Sequence, residues 1–458
     1  MSPVGLPSVE LDKHLGRLCA SRSEANASRR ENWSGIGANA ATGVFTAALL
    51  GGFTAASSAS RRRVQARKAV VFASSIASSV RELRRETWRT RGNTGRAVCA
   101  AQSSAAPQHE TMPRYPTDQD GAALRNFAAV LAEHFRAGGQ WPWEEARNLV
   151  QDATRLLERE RSLERVSIPP GGHVNVVGDV HGQFFDLFTI WEANGLPSEA
   201  NPYIFNGDFV DRGSYSVETL LTLLAWKVAL PAHFRLARGN HESHEMNVPY
   251  GFAGEVFTKY AQGDEAYDAF QRLFAKLPLA HVVNTDVLVV HGGLPRDQHV
   301  SIADIEGLDR ARSANNSVFT DLLWADPCPE LGSRQSQRGE SLVMFGPDVT
   351  KQFLEKNGLG LLIRSHEVKD EGFEWAHDGF CLTVFSAPDY CDSCDNKGAV
   401  VRLQVPESGG PPTTELRKFT SRPRPSFYVP AMVYSPLVPA CRRFLTMAAK
   451  QKLARFMG

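Results

Sequence analysis

The 458-residue chain has little cysteine: seven residues, an odd number scattered along its length, with Cys391 and Cys394 as the one close pair. That distribution excludes the dense disulfide framework of a small secreted domain and favours a reducing compartment. Net charge is nearly missing as well, because 51 Lys and Arg are set against 50 Asp and Glu. With 42% hydrophobic and 22% charged residues, the composition excludes a wholly disordered, collagen-like or polytopic membrane protein. Neither a 34-residue helical repeat nor an EF-hand loop occurs.

The near-zero total conceals two parts of opposite sign. Residues 1–110 hold 16 basic residues, 14 of them Arg, against 7 acidic ones, so this part is +9 and the remainder, given +1 overall, is −8. No charge occurs from Asn32 to Ser60, after which Arg61, Arg62 and Arg63 follow directly. Val44, Phe45, Leu49, Leu50 and Phe53 make residues 41–56 apolar, but Gly43, Gly51 and Gly52 leave that stretch marginal for a membrane span. An Arg-rich, Ser-rich, acid-poor leader reads either as a transit peptide, which would send the protein to a plastid or mitochondrion, or as a solvated tail on a cytoplasmic or nuclear protein. Aromatic residues are few in this part, Trp33 and Trp88 among them, which argues against a nucleic-acid partner. Small, polar and proline residues from Ala100 to Gly121 predict a linker, placed at 111–120, ahead of a folded domain over 121–425.

Within that domain Leu124, Phe127, Leu131 and Phe135 recur at helical spacing, and Gly138-Gly139 closes the helix. Ala146, Leu149, Val150, Ala153, Leu156 and Leu157 mark a second helix. Strands are expected at His173–Val177, Tyr203–Phe205, 233–236 and Val287–Val290, with helices over 185–194 and 216–230 between the first three. This is a βαβαβ opening, an α/β fold with polar residues at the carboxyl ends of its strands, where such sheets put ligands. After Pro406 a Gly/Pro/Arg-rich segment leads into a tail, 426–458, with a short basic helix carrying Phe444, Leu445, Met447, Ala448, Leu453 and Phe456. That helix either docks on the domain or frays at its surface.

The strand ends carry Asp179 and His181 in GDVHGQ, Asp208, Asp211 and Arg212 in GDFVDRG, Asn240 and His241 in GNHE, His291 in HGG and His366 in RSHE. Each block alone is an ordinary Gly-rich turn. Together, carboxylate, amide and imidazole donors suit Mn, Fe, Zn or Mg, and the lack of a thiolate among them excludes a structural cysteine zinc site. Two ions about 3.5–4 Å apart need a bridging carboxylate, for which Asp208 is the candidate.

These blocks, in this order, resemble the metal-dependent serine/threonine protein phosphatases of the phosphoprotein phosphatase family. NGLPSEANPYIFNGDFVDRGSYSVE (194–218), YGFAGEVFTKY (250–260), DLLWADP (321–327), FGPDVTKQFLEKN (345–357) and IRSHEVKDEGFEWAH (363–377) look like its type-5 branch. The resemblance implies a calcineurin-like metallophosphoesterase fold, a central β-sandwich flanked by helices with a dinuclear site at the sheet edge. It implies Asp179, His181 and Asp208 on one ion, and Asp208, Asn240, His291 and His366 on the other. A metal-bridging hydroxide would attack a phosphoserine or phosphothreonine monoester directly, and His241, held by Asp211, would protonate the leaving oxygen. Arg212 and Arg338, the latter in QRGES, would clamp the phosphate beside Tyr390. Phosphoproteins are the implied partners; a nucleotide-directed phosphoesterase and a catalytically silent scaffold are the alternatives.

Arg364, Glu242 and Glu367 neighbour the motif residues and read as supporting groups, while His173, His233 and His281 read as ordinary strand or helix histidines. Two departures stand out. The family's APNYC is Ala387-Pro388-Asp389-Tyr390-Cys391 here, with Asp389 either facing the phosphate or turned from it. The tetratricopeptide repeats of the type-5 branch do not precede Gln102, so its chaperone partners are not expected.

Overall fold

The computed structural model describes residues 112–116, 120–310, 316–438 and 445–457. The basic extension, its apolar stretch 41–56 and Phe444 lie outside these residues. Among the described residues no helix is long and apolar enough to cross a membrane.

Helix α1 (Gly121–Arg136) starts where Asp120 accepts a hydrogen bond from the Ala123 amide, and Gly138, at φ +85°, turns the chain out of it. Its expected stripe of Leu124, Phe127, Leu131 and Phe135 is buried. Helix α2 (Trp143–Arg159) buries Ala146, Leu149, Val150, Ala153 and Leu157 in the same way. Burial of each large apolar side chain contributes roughly 1.5–3 kcal/mol, which outweighs weak helix propensity. Part of the predicted linker packs here too: Trp141 Nε1 donates to the Pro113 carbonyl, and Tyr115 donates to Asp152.

The chain continues through β1 (Leu163–Val166), β2 (His173–Val177), α3 (Phe184–Asn194), β3 (Tyr203–Phe205), α4 (Ser216–Ala229) and β4 (Phe234–Leu236). Strands β2, β3 and β4 pair in parallel, so the βαβαβ opening stands. After α5 (His244–Tyr250), α6 (Phe252–Lys259) and α7 (Gly263–Phe274) come β5 (Ala280–Val283) and β6 (Val287–Val290), which are antiparallel. Helices α8 (Ile302–Glu306), α9 (Ser317–Trp324) and α10 (Pro347–Asn357) are interspersed with β7 (Asp326–Pro327), β8 (Ser333–Gln335) and β9 (Val343–Phe345). The last elements are β10 (Leu361–Arg364), β11 (Phe373–Ala376), β12 (Cys381–Val384), β13 (Gly398–Gln404), β14 (Thr413–Phe419) and α11 (Met447–Met457).

Two large sheets result, ordered β1-β5-β6-β10-β12-β11 and β14-β13-β2-β3-β4, with a small sheet β7-β9-β8 beside them. The strand before His291, β6, therefore lies in a different sheet from β2, β3 and β4. Val174, Val176, Ile204, Val289, Ile363, Leu382 and Val401 form the apolar layer between the large sheets. Helices α1–α7 cover one outer face and α8–α10 the other. This is the flanked β-sandwich, and the loops after β2, β3, β4, β6 and β10 meet at one of its edges.

The tail helix docks rather than frays. Leu445, Ala449 and Leu453 are buried in the helical core, and the Phe456 ring meets His244 at 4.8 Å.

Candidate metal centre

Asp208 lies at the middle of the edge, in the loop after β3. Its Oδ2 is 3.4 Å from His181 Nε2, and its Oδ1 is 3.3 Å from His291 Nε2, so one carboxylate serves two histidines on opposite sides. Side-chain donors gather in two groups that share this residue, His181-Asp208-His241 and Asp208-His291-His366, all buried. Asp179 closes the first side, with Oδ2 3.8 Å from His181 Nε2, and it accepts the His366 amide on Oδ1. The side-chain oxygen of Asn240 is 3.0 Å from His291 Nε2, and this end of the side chain is 3.0 Å from His366 Nδ1 and 3.3 Å from either oxygen of Asp208.

Backbone carbonyls aim these rings. His181 Nδ1 lies 3.0 Å from the Val210 carbonyl and His291 Nδ1 lies 2.8 Å from the Asn206 carbonyl, which turns each Nε2 toward Asp208. The loops are held in a conformation few residues tolerate: His181, Asp208, Asp211, Arg212 and His366 all have positive φ, between 41° and 71°. Gly239 permits the close approach, since a Cβ there would lie 2.2 Å from Asp208 Oδ1.

The electrostatics follow from packing acids and imidazoles together away from water. Burial and the Asp208 charge push Asp179 up to about 7. Burial holds His181 down near 4. Burial disfavours charge on His291, yet Asp208 pushes it up to about 9; burial likewise opposes charge on Asp208, which His291 and His241 hold well below the usual carboxylate range. Asp179 Oδ2 is buried and receives no hydrogen bond. Lone pairs converging with too few protons between them are the chemistry of a cation site, so this donor set fits metal ions.

Beside this cluster, His241 Nδ1 is 2.8 Å from Asp211 Oδ2. Asp211 also accepts from the Asn247 side chain and the Phe252 amide. Arg212 is buried, with its guanidinium 3.7 Å above the Tyr250 ring, and its Nε and Nη1 make no hydrogen bond. Although burial opposes its charge, the acidic groups around it, Asp211 among them, keep Arg212 more basic than usual. The Tyr390 ring lies 5.2 Å from that of His181.

Residues 172–370 match the calcineurin-like phosphoesterase family. A solved serine/threonine phosphatase from Saccharomyces cerevisiae, described as similar to human phosphatase PP5, is 37% identical with a TM-score of 0.61, and the alignment covers 66% of this chain and 96% of that one. The chain belongs to the metal-dependent serine/threonine protein phosphatases. It is 50% identical over 283 residues to serine/threonine-protein phosphatase 5 of Arabidopsis thaliana, covering 62% of this chain and 52% of that protein. Against serine/threonine-protein phosphatase T of Trypanosoma brucei brucei the figures are 44% over 315 residues, 67% and 66%. The chain thus spans about half to two thirds of the length of these curated relatives.

Around this cluster the other expected residues fall as follows. Arg338 ion-pairs with Asp326 and donates to the His366 carbonyl, so its guanidinium is anchored at the rim. Arg364 is wholly buried and donates to Gly292, Ala325, Asp326 and Glu367, a structural role. Glu367 is part-exposed and pairs with Arg364 and Lys369. Asp389 has φ 49°, a left-handed conformation open to Asn and Asp alike. Burial raises its pKa, and its charged neighbours are Asp392, Asp395 and Arg424, on the side of the C-terminal segment. His173 bonds Asn201, and His281 is buried in β5 away from the cluster.

Glu242 is the supporting group its place in the motif suggests, and two further contributors, Asn206 and Asp326, were not marked by sequence alone. Glu242 accepts the amides of Asp208, Phe209 and Gly239 and so cradles the bridging loop. Asn206 donates to the Val290 carbonyl and to Ser365, joining loops from both sheets. Asp326 binds two arginines at once. Asn206 sits in NGD, so its motif signalled the region but not the role.

Proposed function

We propose that the chain hydrolyses phosphoserine and phosphothreonine monoesters of phosphoproteins. The observation that carries this reading is Arg212: a buried, charged guanidinium with two unpaired N–H donors beside a cluster of metal-type ligands costs stability unless an oxyanion completes it. The relatives' names, serine/threonine-protein phosphatase 5 and T, support protein rather than nucleotide substrates.

Asp179, His181 and Asp208 would hold one ion and Asp208, Asn240, His291 and His366 a second, with Mn, Fe or Zn the candidates by donor type. When bound, such ions neutralise phosphoryl oxygens and lower the pKa of water. Arg212 presents a planar donor fork to two phosphate oxygens, and the Tyr390 hydroxyl lines the same pocket. Arg338 contributes charge from the rim while Asp326 fixes its orientation. His241 carries the proton for the departing serine or threonine oxygen, and Asp211 keeps its Nδ1 oriented. Residues 121–425 are the catalytic domain in this reading, 426–458 its tail and 1–110 a separable extension preceding a linker.

The test is phosphate release from a phosphoserine peptide by the full chain, with added Mn, with chelator, and in His241→Asn, against a nucleotide in parallel. Metal-dependent peptide turnover that collapses in the variant is expected. Preference for the nucleotide, or equal turnover in His241→Asn, would overturn the reading.

A further inference from the structure

The loop that presents Tyr390 is tied at both ends to residues 422–435. At its start, the Gln183 amide donates 2.7 Å to the Pro388 carbonyl and 2.9 Å to Asp186 Oδ2, and Arg424 Nη1 donates 2.9 Å to that same oxygen. At its end, Asp392 accepts from the Tyr428 hydroxyl at 2.9 Å and from the Ala431 amide at 2.7 Å. One residue further, the Met432 amide donates 2.6 Å to the carbonyl of Arg212 itself. The Tyr428 ring stacks on Tyr215, three residues after Arg212, with centroids 5.6 Å apart.

One strap therefore fastens both loops that carry the phosphate-binding side chains. Those loops are strained, with positive φ at Arg212, Asp389, Cys391 and Asp392, so they need fixing from outside. Asp392 is exposed while Asp186 is buried, so the inner tie is the firmer one.

We infer that residues 424–432 are a positioning strap for phosphate recognition, in which Arg424 through Asp186 and Gln183, and Tyr428 with Ala431 through Asp392, set the relative placement of Tyr390 and Arg212. This rests on the reading of those two side chains as phosphate ligands. Removing a tie loosens the pocket without touching the groups that handle protons or metal, so ground-state phosphate affinity suffers first.

The test uses the full chain loaded with Mn and compares wild type with Arg424→Met, Tyr428→Phe, Asp392→Ala and Asp392→Asn. It measures the dissociation constant of inorganic phosphate by titration calorimetry, together with KM and kcat on the phosphoserine peptide, bound Mn and Tm. A lost hydrogen bond of this kind weakens binding by about three- to tenfold. The expectation is that rise in both the phosphate constant and KM for Arg424→Met and Asp392→Ala, a smaller one for Tyr428→Phe, and recovery in Asp392→Asn, with Mn content unchanged. Unaltered phosphate affinity in Arg424→Met and Tyr428→Phe would overturn the strap. So would a loss in Asp392→Ala that Asp392→Asn does not recover. Phosphate binding without peptide turnover would sink the functional reading alone, since the affinity comparison would still report on the strap; no phosphate binding by wild type would sink both.

Discussion

His241 Nδ1 lies 2.8 Å from Asp211 Oδ2, with both side chains buried. Burial pushes Asp211 up and His241 down, so each resists charge, while the Asn247 and Phe252 donors favour the carboxylate form of Asp211. An ionised Asp211 accepts the ring's Nδ1–H and so favours the doubly protonated ring, whose Nε2–H can be given to the leaving oxygen. Asp211→Asn removes that preference. The expected outcome is a fall in kcat of about a hundred- to ten-thousandfold, with KM and metal content within twofold of wild type. Steady-state kinetics with metal analysis on the same preparation checks it.

Arg212 offers two unpaired donors and stacks on Tyr250. In Arg212→Lys a point charge replaces the planar fork, so about a tenfold loss in kcat/KM is expected, while Arg212→Ala loses about a hundredfold. Inhibition by inorganic phosphate should weaken in the same order. Equal losses in the two variants would mean that charge alone matters at this position.

Asp389 has charged neighbours in Asp392, Asp395 and Arg424. Restoring the family's residue with Asp389→Asn keeps the left-handed backbone and removes one carboxyl. Its kcat/KM should stay within about twofold of wild type. A tenfold gain would place the carboxylate at the phosphate after all.

Much of this site was legible because its donors cluster in short glycine-bounded blocks after strands, and spacing alone identifies β2, β3, β4 and the helices between them. The partition of β6 into the other sheet was not, because strand pairing depends on contacts distant in sequence: β5 pairs with β1 across more than a hundred residues, yet also with its neighbour β6. The same is true of Asp326, whose meaning lies in Arg338 and Arg364, and of Arg424, whose partner Asp186 is 238 residues away. The docking of α11 was left open by its pattern because an amphipathic basic helix looks the same whether its apolar stripe meets a domain or solvent.

Asp326 also sets an acid limit. Burial works against its charge, but Arg338 and Arg364 hold its pKa below the ordinary carboxylate value. A depressed folded-state pKa contributes stability that is complete above the unfolded value near 3.9 and is lost as pH falls through the folded one. Asp326→Asn should therefore lower Tm at pH 7, and its deficit relative to wild type should shrink as pH is lowered below about 4. Thermal unfolding of both proteins from pH 7 to 3 checks this, and a deficit independent of pH would contradict it.

The central claim is that Asp208 is shared by two ions. Metal analysis of the full chain against Asp208→Asn, after incubation with Mn and removal of free metal, tests it most directly, with phosphopeptide turnover measured on the same samples. The expected result is two ions per wild-type chain, with both occupancies reduced and turnover down at least a hundredfold in the variant. Two ions retained in Asp208→Asn, or one ion in a fully active wild type, would contradict it.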